Sequence, residues 1–220
     1  NNNPATIMVY WGGISGSDVT HLGLFDIPLI SNIPNMVYLA PTTKEEHLAM
    51  VDWAIEQDKH PVAIRVPNME VVSTGAAVEA NFDELNKYVM VEEGKDVAII
   101  GLGSFFHLGK KVQERLRNTG INATLINPRF ITGVDEDLLN ELKENHKVVI
   151  TLEDGILDGG FGEKISRFYG NSQMRVLNFG ATKEFTDSVE LDVLYERYHL
   201  TEELIVEDIE KVLADIKVFA

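Results

Sequence analysis

The chain contains no cysteine, which excludes disulfides and thiolate metal sites and fits a reducing cytoplasm. It has no apolar run near the ~20 residues needed to span a bilayer. Its opening Asn1-Asn2-Asn3-Pro4 carries neither the basic region of a signal peptide nor an initiator Met; the expectation is that translation began further upstream. Basic charge is scarce. Nineteen Lys and Arg stand against 35 Asp and Glu, a net charge of −16. Such a surface repels nucleic acid and anionic membrane, so neither is expected as a partner. A phosphorylated substrate would need a local cationic pocket set against this field.

What is present is ordinary for globular protein: 220 residues, 45% hydrophobic and 25% charged, enough for one large domain or two small ones. In the second half, β-favouring runs at 97–100, 123–127, 148–152 and 174–177 alternate with amphipathic stretches. The first stretch is capped by Ser104 or a neighbour, carries Leu108, Val112 and Leu116 on one stripe, and ends at Gly120. The next starts at Asp135 with Leu138, Leu139 and Leu142 inward. Phe161, Ile165 and Phe168 mark another. The C-terminal stretch keeps Leu204, Ile205, Ile209, Val212 and Ile216 in register. Short connections between alternating elements predict a parallel sheet covered on both faces.

The first half reads as strands over 6–11, 36–39 and 62–66, with a helix opened by the capping box Thr43-Lys44-Glu45-Glu46 and burying Leu48, Val51 and Ile55. The fold class is therefore α/β, with two parallel-sheet three-layer α/β/α domains. Residues 1–92 form the first, which is incomplete because three strands fall short of the ~5–6 of a typical sheet. Residues 93–220 form the second.

Most candidate motifs have a structural reading. Gly101-Leu102-Gly103 lacks a third glycine, with Phe106 in its place, and the following strand ends at Asn127 rather than at an acid, so a dinucleotide site is disfavoured. Glu153-Asp154-Gly155 reads as a polar strand-end turn, since no paired asparagines follow to complete a magnesium shell. Residues 159–162 are glycine-rich; packing is favoured there over an anion cradle. His47, His60, His107, His146 and His199 are scattered, and with no His-x-x-x-His pair no metal site is expected. His21 differs. It lies in residues 16–26, a loop leaving the C-terminal end of the first strand, with Asp18, Thr20, Asp26 and glycines. An imidazole there can move a proton or hydrogen-bond an oxyanion. Residue chemistry leaves a turn and a site equally open.

The stretch Asp18-Val19-Thr20-His21-Leu22-Gly23-Leu24-Phe25-Asp26 resembles the Asp-Gly-x-Thr-His-x-Gly-x-Phe-Asp loop of 1-deoxy-D-xylulose-5-phosphate synthases, and the shorter Asp-Gly-Pro-Thr-His of transketolases. Residues 33–41, Ala63-Ile64-Arg65-Val66-Pro67, Gly103-Ser104, Asn127-Pro128-Arg129-Phe130-Ile131 and Gly159-Gly160-Phe161-Gly162 continue the likeness in colinear order. The resemblance implies a thiamine-diphosphate-dependent transferase joining a pyruvate- or ketose-derived carbon unit to an aldehyde, with a place in isoprenoid biosynthesis. Residues 1–92 would be the rear of its pyrimidine-binding domain and the rest its C-terminal domain. It implies a homodimer, and thiamine diphosphate with Mg2+ in the full-length enzyme. The magnesium motif, the glutamate facing the aminopyrimidine and the stacking aromatics would lie upstream of Asn1, so this chain alone is expected to bind no cofactor and to be inactive. By the same resemblance His21 is catalytic, and Asp18, Thr20 and Arg65 contact substrate.

Three departures stand out. The loop lacks the glycine after Asp18. The family's Asp-Arg-x-Gly is Tyr10-Trp11-Gly12-Gly13, and its Arg-Tyr-Pro-Arg-Gly is Arg65-Val66-Pro67-Asn68-Met69. Both missing arginines recognise the acceptor phosphate in the family, through charge-assisted bonds that Trp and Asn cannot form. The resemblance with these departures implies a synthase-like paralogue with a different acceptor, or one held differently. The alternatives are a β subunit of a 2-oxoacid dehydrogenase or transketolase C-terminal subunit, and a non-catalytic dimerisation or regulatory module.

Overall fold

The structure, a computed structural model, describes residues 3–68 and 70–219. The expectations about Asn1, Asn2 and Met69 lie outside those residues.

Strand β1 (Thr6–Gly12), helix α1 (Asp26–Ser31), β2 (Val37–Leu39), α2 (Lys44–Glu56) and β3 (Val62–Pro67) form the first unit. Its three strands are parallel in the order β1-β3-β2, so β1 is an edge. Alternation of side chains splits this sheet between two cores. Val37, Leu39, Val62 and Ile64 pack on α2 with Met50, Trp53 and Phe82. Tyr38, Ala40 and Ala63 face the other way, onto Ile27 of α1 and the core of the second unit.

The second unit holds β4 (Val89–Glu92), β5 (Asp96–Gly101), α3 (Phe106–Asn118), β6 (Thr124–Asn127), α4 (Glu136–Asn145), β7 (His146–Ile156), α5 (Phe161–Tyr169), β8 (Arg175–Ala181), α6 (Leu191–Arg197) and α7 (Glu202–Phe219). The sheet order is β4-β6-β5-β7-β8. Helices α3 and α7 pack on one face through Val112, Leu116, Ile205 and Ile209. On the other lie α4 and α5, through Leu139, Leu142, Phe161 and Ile165. The chain winds in opposite directions from β5 to β6 and from β7 to β8, so the switch point of this α/β sheet lies between the ends of β5 and β7.

Four sequence expectations are corrected. The sheet is not wholly parallel: β4, a strand the sequence pattern does not mark, pairs antiparallel with β6. Helix α2 buries Glu46, Met50, Trp53 and Ala54, while Leu48 and Ile55 are exposed at 52% and 67% and Val51 packs at the edge of the core. The helix is rotated because Glu46 is tied inward, accepting from Thr42 N at 2.7 Å, Thr42 Oγ1 at 2.8 Å and Asn127 Nδ2 at 2.9 Å. That use of Glu46 leaves half a capping box, the bond from Glu46 N to Thr43 Oγ1 at 3.1 Å. Ser104 caps nothing; α3 starts after a 3-10 turn with no side-chain cap. Finally, Glu153 and Asp154 do not end a strand in solvent. Both lie inside β7 and are fully buried.

Candidate functional site

Strand β1 ends in a conformation few residues tolerate. Trp11 has φ of 63°, a left-handed geometry that is an outlier for a bulky side chain. The surroundings hold it there. Gly13 N–H donates to the Gly23 carbonyl at 3.2 Å, and a Cβ on Gly23 would stand 1.6 Å from the Trp11 carbonyl oxygen. Only glycine permits that approach.

The loop then plugs the switch point of the second sheet. Asp154 Oδ1 accepts from Ile14 N at 2.8 Å, and its Oδ2 from Ser104 Oγ at 3.2 Å. The Leu24 carbonyl accepts from Ile156 N at 3.0 Å. Asn68 Nδ2 donates to the Ile14 carbonyl at 3.0 Å. Burial raises the Asp154 pKa, an effect the nearby Arg65 charge partly offsets.

Between these anchors Asp18, Thr20 and His21 stand in solvent on a 3-10 turn, Val19–His21. Asp18 caps the turn, accepting from Thr20 N at 2.9 Å and from the Thr20 hydroxyl. Thr20 Oγ1 lies 2.7 Å from His21 Nδ1, and Asp18 Oδ1 lies 3.3 Å from it. A threonine hydroxyl has one proton. With that proton on Asp18, the Thr20 oxygen accepts from Nδ1–H, which leaves Nε2 as the ring atom that takes up or gives a second proton. The order carboxylate–hydroxyl–imidazole thus fixes a tautomer, as carboxylates do for histidines that move protons. The Thr20 hydroxyl and amide, with His21, hold the Asp18 carboxyl down to about 2, so it is ionised at neutral pH. The Trp11 ring centroid is 6.1 Å from that of His21, tilted by 49°.

The sequence grouped Asp18, Thr20 and His21, and the structure brings them together. Arg65 is elsewhere. It is 2% exposed, and donates from Nε and Nη2 to both oxygens of Asp26 at 2.7 and 3.0 Å and from Nη2 to the Asp154 carbonyl at 2.5 Å. Burial alone would lower its pKa, but the Asp26 carboxylate outweighs that and keeps it charged. The Tyr38 hydroxyl donates to the same carboxylate. A guanidinium so enclosed cannot touch substrate in this conformation. Its bonds tie β3 to α1 and β7. Asp26, Tyr38 and Asp154 complete that buried cluster; the sequence pattern places Asp26 in the candidate loop and Asp154 in a strand-end turn, and does not join them to Arg65. Charged residues at the ends of apolar elements were the available signal.

A cleft of about 370 Å³ opens beside His47, His107, Val72, Phe105 and Ser104, and no residue of the Asp18–Thr20–His21 turn lines it. At the glycine-rich 159–162 stretch, the Phe161 and Gly162 amides donate to Glu153 at 2.7 and 2.8 Å. They are therefore not free to cradle an anion.

The description "Transketolase, C-terminal domain" belongs to the family model that matches residues 86–205, more than half of the chain. The chain belongs to this family. Among curated proteins it is similar to the 1-deoxy-D-xylulose-5-phosphate synthase of Clostridium tetani, at 34% identity over 96% of this chain and 34% of the relative. The Lysinibacillus sphaericus synthase is 32% identical over 87% of this chain and 31% of its own length. The chain thus spans about one third of the length of these relatives. Among solved structures, a split-gene transketolase described as an inactive β4 tetramer superposes with a TM-score of 0.76 at 25% identity, covering 96% of this chain and 66% of that one. A histidine-to-phenylalanine mutant of Pichia stipitis transketolase gives 0.73 at 16% identity over 97% and 31%, a likeness of fold. The transketolase family implies thiamine diphosphate and a divalent metal in its full-length enzymes. The α5 amides are taken by Glu153, and among the described residues no cluster of three or more His, Asp or Glu could hold a metal ion.

Proposed function

We propose that the chain is the C-terminal portion of a thiamine-diphosphate-dependent transferase similar to 1-deoxy-D-xylulose-5-phosphate synthase. In it the Asp18–Thr20–His21 turn faces the aldehyde acceptor. The observation that carries this reading is the ordered carboxylate–hydroxyl–imidazole chain exposed at the end of β1, where ligands bind in α/β sheets, in a chain of this family. The carbon unit comes from pyruvate, with loss of carbon dioxide, or from a ketose. It bonds to the aldehyde carbon, and the aldehyde oxygen takes up a proton to become a hydroxyl. With its ring doubly protonated, His21 supplies that proton from Nε2 or hydrogen-bonds the developing oxyanion, and Asp18 accepts from acceptor hydroxyls. The cofactor's chemistry belongs, in this reading, to parts of the protein outside these residues, and the chain alone is inactive.

In this reading residues 1–92 belong to the pyrimidine-binding domain and residues 93–220 to the C-terminal domain, with β4 pairing into the second sheet. A homodimer and a cytoplasmic location complete the reading; light scattering checks the first. No helix among the described residues is long and apolar enough to cross a membrane.

The test is His21→Asn in the full-length protein with pyruvate and glyceraldehyde. A loss of about 10²–10⁴ in kcat supports general acid or oxyanion duty. Activity within twofold of the parent overturns it. Isothermal titration of the 220-residue chain with thiamine diphosphate and Mg2+ is expected to show no binding.

A further inference from the structure

Resting on the reading of residues 11–26 as an acceptor loop, we propose that Trp11 is a specificity-determining residue, which selects an uncharged, hydroxylated aldehyde of small-sugar type instead of a phosphorylated one. Trp11 is 55% exposed although it is a large aromatic. Its left-handed backbone is fixed by the Gly13–Gly23 bridge and the close approach of Gly23. Such conformations persist only where the surroundings over-determine them. The ring is thereby held beside His21 rather than folded onto the core. An indole face is electron-rich and apolar. It takes the polarised C–H face of a polyol, while the ionised Asp18 carboxylate, 3.3 Å from the His21 ring nitrogen, accepts from hydroxyls.

Charge points the same way. Residues 1–43 contain no Lys or Arg. Among the described residues, the cations bonded to residues 11–31 are Arg65, closed on Asp26, and Lys164, bonded to Ser31 Oγ at 2.8 Å. Neither is a free counter-charge. Asn68 already uses its amide on the Ile14 carbonyl. A phosphate dianion would meet Asp18 with no guanidinium to bind it, whereas a neutral polyol meets a platform and an acceptor.

The chain has two tryptophans, and Trp53 is buried with Nε1 bonded to Asp83 at 2.9 Å. The Trp11 indole N–H and the His21 ring protons are therefore separable NMR reporters. We expect glyceraldehyde to shift both saturably, and glyceraldehyde 3-phosphate to bind about tenfold more weakly or worse. Trp11→Leu should abolish the preference, and Trp11→Arg should reverse it. Equal or tighter binding of the phosphate ester to the parent chain overturns the inference and leaves the acceptor-loop reading standing. So does a shift at His21 with none at Trp11. If neither ligand moves either residue, the acceptor-loop reading falls and the inference with it.

Discussion

Asp154 and Ile14 are joined by a buried hydrogen bond, 2.8 Å long, across 140 residues of sequence. Through it the second sheet fixes the loop that the first sheet presents. The bond occupies the switch point where a doubly wound fold would otherwise take a ligand. The C-terminal unit thus holds the loop of its neighbour in the place where such sheets hold small molecules.

Asp154→Ala is expected to leave the Ile14 amide and the Ser104 hydroxyl without a partner. The Ile14 amide is buried, and an unsatisfied buried group costs about 1–3 kcal/mol, so urea unfolding should show a loss of roughly that size, the half-buried Ser104 hydroxyl adding little. Hydrogen exchange at the Ile14 amide should quicken by more than global unfolding accounts for. An unchanged Ile14 exchange rate would show that the loop is held by other means.

Asp18 is expected to titrate near 2, as the Thr20 hydroxyl and amide hold it below its ordinary value of 3.8. A carboxyl depressed in the folded state adds stability that is present above pH 3.8 and is lost as pH falls toward 2. Thr20→Val removes the hydroxyl and should move the Asp18 titration up toward 3.8, read from its side-chain carbon shift. The same variant takes the Thr20 oxygen from His21 Nδ1 and leaves the Asp18 carboxylate, 3.3 Å away, as its acceptor.

Glu153 gives the opposite slope. Burial pushes its carboxyl up from 4.5 to about 7, against the pull of the Gly162 and Phe161 amides. The folded state therefore binds more protons than the unfolded one between pH 4.5 and 7, and stability falls as pH rises through that window. The loss amounts to ~3 kcal/mol at most. Glu153→Gln has no proton to exchange, so its stability curve should be flat where the parent's slopes. A parent curve already flat between pH 4.5 and 7 would contradict the raised value.

The strands were legible because β-branched runs such as Val97–Ile100 sit between breakers, and continuous apolar runs mark strands buried on both faces. Helix α2 was not, since Leu48, Val51 and Ile55 make as good a stripe as Met50, Trp53 and Ala54. The choice fell to Glu46, whose partner Asn127 lies 81 residues away. The exposed turn was legible because its three polar groups are sequence neighbours. Its support was not. A carboxylate inside a strand reads as solvated until the chain that covers it is known, and Arg65 reads as a substrate ligand until Asp26 is seen to close on it.

That closure makes the Arg65–Asp26 pair a test of what the guanidinium does. The two side chains are 3% and 8% exposed and meet at 2.7 Å. Removing one partner of a buried pair strands the other charge, at about 3–5 kcal/mol, whereas replacing both by apolar groups is often neutral or better. Arg65→Met and Asp26→Leu should each destabilise strongly in urea, and the double variant should recover most of the loss. Because Gly12 is packed against both residues, with Arg65 Nε 2.8 Å and Asp26 Oδ2 3.0 Å from where its Cβ would be, the double variant should also restore protection of the Gly12 and Gly13 amides. If Arg65 instead bound substrate, the double variant would recover stability in the full-length protein while KM for the aldehyde stayed high. A buried positioning role predicts that KM returns toward the parent value together with stability, since no guanidinium is then missing from the acceptor site.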